Sequence, residues 1–153
     1  MSDMGENILL ITGDAKQRRR FRERADERFV LLDERDPYNG EHSPSVLSFH
    51  RLYPMPKATV ERGYDVPGGG YDWQTEHWGV KWGEVNARME DAVKETPDSL
   101  AYVFETAWKA PLPWLRKVSA DYPALTFFLK FTEPVSHLPE DVVYQAGQLQ
   151  EAL

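Results

Sequence analysis

The sequence contains no cysteine, which excludes disulfides, thiolate metal sites and cysteine nucleophiles. Its histidines, His42, His50, His77 and His137, are dispersed along the chain. None forms a His-x-x-x-His or Glu-x-x-His pair on one predicted element, and the adjacent Glu76 and His77 point apart. A metal site needs three or four converging ligands, so neither a metal nor a cofactor is expected. No serine sits in a Gly-x-Ser-x-Gly elbow, and no Gly-Lys-Ser/Thr follows Pro67-Gly68-Gly69-Gly70, so the glycines read as a turn rather than a phosphate loop. No apolar run approaches the roughly 18 residues of a membrane span. Met1 to Asn7 carries two acids and no base, unlike a secretory signal. There is no internal repeat and no low-complexity tract.

What the chain does have is core material. Hydrophobic residues make up 41% and aromatic residues 12% of 153 residues, enough apolar surface to offset chain entropy and a length suited to one domain, 1–153. The net charge is −7, and it is unevenly spread. Positions 16 to 28 hold seven basic residues against three acids, leaving −11 on the rest of the chain. A net acidic protein repels nucleic acid at long range. The basic window reads first as a solvated helix face with pairs such as Arg19–Glu23 and Arg22–Asp26.

The patterning predicts most elements. Ile8 to Ile11 is a buried strand ending at Gly13. Asp14, with Gln17 three residues on, caps a helix to about Asp26 that buries Phe21 and Ala25. Phe29 to Leu32 is apolar, and Asp33 to Pro44 is a loop. Val46 to Leu52 is strand-like, stopped by Pro54 and Pro56. Lys57 to Gly70 is irregular. In Tyr71 to Gly83, Asp72 caps a short helix and Gly79 closes it. Glu84 to Thr96 fits a helix (Val85, Met89, Ala92, Val93) or a strand (Val85, Ala87, Met89). After the Pro97-Asp98 turn, Leu100 to Trp108 is a strand with Tyr102, Phe104 and Thr106 on one face. Pro111 and Pro113 open a helix with Leu112, Leu115 and Val118 as its stripe, ended by Tyr122-Pro123. Leu125 to Phe131 is a strand, and Glu140 to Leu149 a short helix. If 84–96 is a strand, the order is β-α-β-β-α-β, a ferredoxin-like sheet with both helices on one face. If it is a helix, the fold is a looser α+β sandwich.

Several segments carry a family resemblance. Glu6-Asn7-Ile8-Leu9-Leu10-Ile11-Thr12-Gly13 resembles an "EN-x-L-x-[VI]-T-G" opening. Leu47 to Pro56 is similar to "L-x-F-x-x-[LI]-x-P-M-P", and Tyr71-Asp72-Trp73 with Trp78-Gly79-Val80-Lys81-Trp82 to "Y-D-W…NWGTKW". Phe104 to Trp108 with Pro111 and Pro113 resembles "F-x-TAW-x-PP-x-P", and Tyr122-Pro123-x-Leu125-Thr126-Phe127 resembles "[YF]P-x-L-x-F". The matches run in order over about residues 6 to 133. Together they resemble the YubB-like family of phage and plasmid proteins, which overlaps the ferredoxin-like Api-type phage proteins. The chain departs from that pattern at Met4-Gly5, His77, Val80 and after Glu133. The resemblance implies an α+β, ferredoxin-like fold: a split β-α-β antiparallel sheet with two helices on one face. A Trp-rich insertion of about 55–83 then lies between the first helix and the central hairpin, with a divergent C-terminal tail, 134–153. It favours a strand from Val85 to about Ala92 and implies a mobile-element context, but no activity.

The candidate binding residues are Asp72, Trp73, Glu76, His77, Trp78, Lys81 and Trp82, with Trp108. Indoles interleaved with charges can form a ligand pocket or a stacking platform. An aromatic insertion also closes over an open sheet face and supplies core area, and this packing reading outweighs binding. The expected function is that of a phage accessory protein which binds a host protein, in host takeover or counter-defence. It would use its acidic surface, perform no catalysis, and act in the cytoplasm of the bacterial host without a membrane contact. The alternative is a nucleic-acid module that stacks bases on sheet aromatics, with Lys16, Arg18, Arg19, Arg20, Arg22 and Arg24 on phosphate. A further alternative is a small enzyme with a pocket near Trp73 to Trp82. The discriminator for the nucleic-acid reading is which sheet face carries Tyr102 and Phe104.

Overall fold

A computed structural model of the chain describes residues 3–28, 45–87 and 90–150. The Phe29 to Leu32 segment and the Asp33 to Pro44 loop expected from sequence lie outside these residues. Strand β1, Met4–Gly13, extends well beyond the predicted core and alternates strictly, with Gly5, Asn7, Leu9 and Ile11 turned inward. Ile8 and Leu10, expected to be buried, are 49% and 37% exposed. The apolar run reads as doubly buried, but the helices among the described residues cover one face of this sheet. Gly13 turns the chain at φ +119, where a Cβ would fall on the Ala124 carbonyl, so only glycine fits.

Helix α1, Ala15–Ala25, starts as predicted, with the Gln17 amide donating to the Asp14 carboxylate at 2.9 Å. Phe21 meets the edges of Tyr102, Tyr122 and Phe127 at 5.2–6.0 Å between centroids. At the end of the helix, Arg28 donates to both Asp26 oxygens (3.0 and 2.7 Å). These bonds hold the Asp26 carboxyl below its ordinary range, assisted by the Arg22 charge. A lowered folded-state pKa stabilises above the unfolded value, and the effect is lost as pH falls through the folded value. Asp26→Asn should therefore cost up to about 1 kcal/mol at neutral pH, and urea titrations should show the difference shrinking as pH falls below the ordinary carboxylate range.

The expected strand at Val46 to Leu52 is instead an entry loop and a helical turn, α2, Phe49–Leu52. The Ser48 hydroxyl accepts from the Arg51 amide (3.1 Å) and donates to buried Glu27 (2.8 Å), while buried Glu84 accepts from the Phe49 amide (2.7 Å). These capping bonds come from distant residues and override the local alternation. The supposedly irregular stretch after Pro56 contains α3, Lys57–Arg62, ended by Gly63 at φ +110. Helix α4, Gly70–His77, is capped by Gly69, while Asp72 sits in the first turn and accepts from the Gly68 amide. Gly79 closes it as expected: at φ +84 its amide, like that of Trp78, donates to the Gln74 carbonyl.

Val85 makes an isolated bridge to Glu105, but Asn86, at φ +61, turns the chain away. Among the described residues the strand is β2, Val93–Glu95, beyond the Val85 to Ala92 stretch the resemblance favoured. Across the Pro97-Asp98 turn follow β3, Ser99–Ala107, then α5, Leu112–Asp121, and β4, Leu125–Thr132. The predicted C-terminal helix is a hairpin, β5 Pro139–Gln145 and β6 Gln148–Gln150. Its turn residues Ala146 and Gly147 both have positive φ (+50 and +77), the geometry a two-residue hairpin loop requires. Pairing with the free edge of β4 and inward burial of Tyr144 outweigh the helix-favouring Glu and Gln residues.

All pairings are antiparallel in a six-stranded sheet, β2-β3-β1-β4-β5-β6. The first four form the β-α-β-β-α-β arrangement of a ferredoxin-like fold, and the hairpin extends it. Against the inner face pack α1, α5 and the insertion. Phe49 lies flat on Trp114 at 3.9 Å and 7°, with edges of Trp78 and Phe104 against it. The Tyr102 hydroxyl is buried with no partner among the described residues, and burial pushes its pKa up. Tyr102→Phe should leave the melting temperature unchanged or raise it, because an unsatisfied buried hydroxyl costs about 1–3 kcal/mol.

Candidate functional site

The structure disperses the candidate residues. Trp78 is core: fully buried, its indole N–H donates to the Tyr53 carbonyl at 3.0 Å. Trp73 is half-buried and clusters with Tyr53 and His77, the Trp73–His77 centroids lying 4.6 Å apart. That contact is the i,i+4 pair read from sequence. Trp82 sits at φ +70, tied by its amide to the Gln74 side chain, with Lys81 Nζ over its ring at 4.3 Å. Asp72 and Glu76 are exposed. Trp108, at the far end of β3, is 47% exposed and makes no ring contact with the other indoles among the described residues. The segment is thus largely a packing device that leaves one polar rim.

That rim borders an open groove of about 640 Å³ between Tyr53, Glu76 and His77 on one side, and Pro113, Arg116, Lys117 and the β5–β6 turn on the other. No group of three or more metal-ligating side chains occurs among the described residues. Of the basic window, Arg18 is buried and structural, donating to the Gly13 and Pro97 carbonyls at 3.0 and 2.9 Å. Arg22 pairs with Glu95 at 2.5 Å. Lys16, Arg19, Arg20 and Arg24 are exposed.

The surface that sequence reasoning missed is the outer face of the sheet. Cross-strand register places Ala101, Leu10, Phe128 and Val143 in one row and Val103 beside Ile8 in the next. Val103, Ile8, Phe128 and Leu10 are 54%, 49%, 39% and 37% exposed. Glu6, Glu105, Lys130 and Asp141 lie on the same face around them. The alternation in β3 and β4 was the available signal, once the helices are known to cover a single side. Tyr102 and Phe104 point the other way, each 1% exposed. No helix among the described residues is long and apolar enough to cross a membrane.

Strand order, crossover helices and the one-sided helical layer define a ferredoxin-like α+β protein. Residues 77–151 match the family model of the ferredoxin-like domain in Api92-like protein, which supports the resemblance to the Api-type ferredoxin-like family. The crystal structure of protein api92 from Yersinia pseudotuberculosis superposes with a TM-score of 0.69 at 10% identity, covering 97% of this chain and 96% of that one, a likeness of fold. No curated protein matches the sequence.

Proposed function

We propose that the protein is a phage accessory protein that binds a protein of its bacterial host in the cytoplasm, in host takeover or counter-defence, and performs no chemistry itself. The observation that carries this reading is the uncovered sheet face, with its contiguous Ala101–Leu10–Phe128–Val143 row. Contiguous exposed apolar surface rimmed by polar groups marks protein interfaces. With Glu6, Glu105 and Asp141 around it and a net charge of −7, the fitting partner presents an apolar centre in a basic surround. The nucleic-acid alternative loses its stacking platform: Tyr102 and Phe104 face the core, and Phe128 is the lone aromatic that the described strands turn outward. An enzymatic role near Trp73 to Trp82 has only the open rim of Glu76 and His77 to draw on.

The test is affinity capture of the tagged protein from host lysate, at low and moderate salt, with and without nuclease. One stoichiometric protein that survives nuclease and is lost with Phe128→Glu is the expected result. Recovery of nucleic acid alone, released by salt, would overturn the reading.

A further inference from the structure

We propose that the groove between α1, α2 and α5 is a binding site for a small anion carrying two or more adjacent phosphate groups. About 460 Å³ in volume, it is bordered by Gln17, Arg20 and Arg24 of α1, Arg51 and Leu52 of α2, Pro54, and Lys117, Asp121 and Tyr122 at the end of α5. Four cations thus face one carboxylate, in a protein whose overall charge is −7. That carboxylate is already engaged, both Asp121 oxygens accepting from Lys117 Nζ at 2.8 and 2.7 Å.

The arginines are held, not merely clustered. Arg24 Nε donates to the Arg51 carbonyl at 3.1 Å, and Arg51 Nε returns a bond to the Arg24 carbonyl at 2.6 Å. This reciprocal pair fixes two like charges side by side across α1 and α2. Each guanidinium spends its Nε on the backbone and keeps its terminal nitrogens without an acceptor among the described residues. Arg20 makes no bond to a described residue. Three arginines of the same stretch are matched: Arg18 by carbonyls, Arg22 by Glu95 and Arg28 by Asp26.

Fixed like charges without a counter-ion repel one another. Their terminal N–H groups form the fork that binds phosphate oxygens bidentately. Several such forks suit adjacent phosphates better than a single carboxylate. The volume lies in the range of small-ligand sites, and Leu52, Pro54 and the Tyr122 ring provide an apolar wall for an organic portion. A long polyanion such as nucleic acid would have to lie against the acidic remainder of the surface, which disfavours it.

The test is calorimetric titration of the full chain with inorganic pyrophosphate at low salt, alongside sulfate and a random single-stranded oligonucleotide. Saturable one-to-one binding of pyrophosphate is expected, tighter than sulfate and weakened by at least about tenfold in Arg20→Gln and in Arg51→Lys. Arg20 has no internal bond to lose, so Arg20→Gln should keep the wild-type melting temperature and isolate binding from folding. The proposal is overturned by the absence of saturable pyrophosphate binding, by binding indifferent to both variants, or by an oligonucleotide binding more tightly than pyrophosphate through the same arginines.

Discussion

A fragment spanning residues 77–151, the part that matches the family model, should fail to fold alone. It contains β2 to β6 and α5 but lacks β1, which lies at the centre of the sheet and is paired along its length with β3 on one side and β4 on the other. Without β1 the facing backbone groups of β3 and β4 have no partners, and unpaired buried amides and carbonyls are costly. Leu9 and Ile11, both fully buried, would also leave the core, at about 1.5–3 kcal/mol each. Loss of α1 removes Phe21 from among Tyr102, Tyr122 and Phe127. With total stability of about 5–15 kcal/mol for a typical domain, the deficit is decisive. The fragment should show an unstructured amide spectrum, and adding residues 1–28 in trans should restore order only if the strand can dock. A dispersed spectrum from the fragment alone would refute this, and would also speak against reading 1–153 as one unit.

The second large effect is expected at Phe49. Its ring stacks on Trp114 and takes the edges of Trp78 and Phe104, so it joins the insertion, α5 and the sheet in one contact. Phe49→Ala should lower the unfolding free energy by about 3–5 kcal/mol, read as a shift of the urea midpoint at unchanged slope. A loss under about 1 kcal/mol would mean that the insertion docks weakly and that its indoles are available for another role.

Both expectations depend on features that are only partly local. β1, the Asp14-capped helix, β3, α5 and β4 are legible because alternation, caps and prolines agree within each segment. The segment Val46 to Leu52 is not: Leu-Ser-Phe-His alternates as a strand would, and the helical turn is imposed by Glu27 and Glu84. Among 25 acids, nothing in sequence marks these as the ones that go inside. The tail misleads for a related reason, since its Glu and Gln residues favour a helix until an unpaired edge of β4 is available.

The resembling motifs prove to be joints of the fold. Asn7 of the opening motif donates to Thr106 of the Thr-Ala-Trp motif at 2.9 Å, and Gly79 of the Trp-Gly motif packs where a Cβ would strike Pro113 of the proline motif. Trp78 and Gln74 are likewise structural, so part of the aromatic segment that drew attention as a site is core. The surfaces left for function arise only from topology. Ile8, Leu10, Val103 and Phe128 come from three strands, and Arg20, Arg24, Arg51 and Lys117 from three helices, so no single window of sequence displays either set.

The most direct measurement is the affinity of the captured host protein for purified wild type, Phe128→Glu, Glu76→Gln and Trp108→Ala, by calorimetry. A charge placed at the centre of the apolar row should weaken binding by at least about a hundredfold, while the variants at the insertion rim and at Trp108 should match wild type. Loss of binding with Glu76→Gln or Trp108→Ala, and full binding by Phe128→Glu, would contradict the account and return the contact to the tryptophan-rich side.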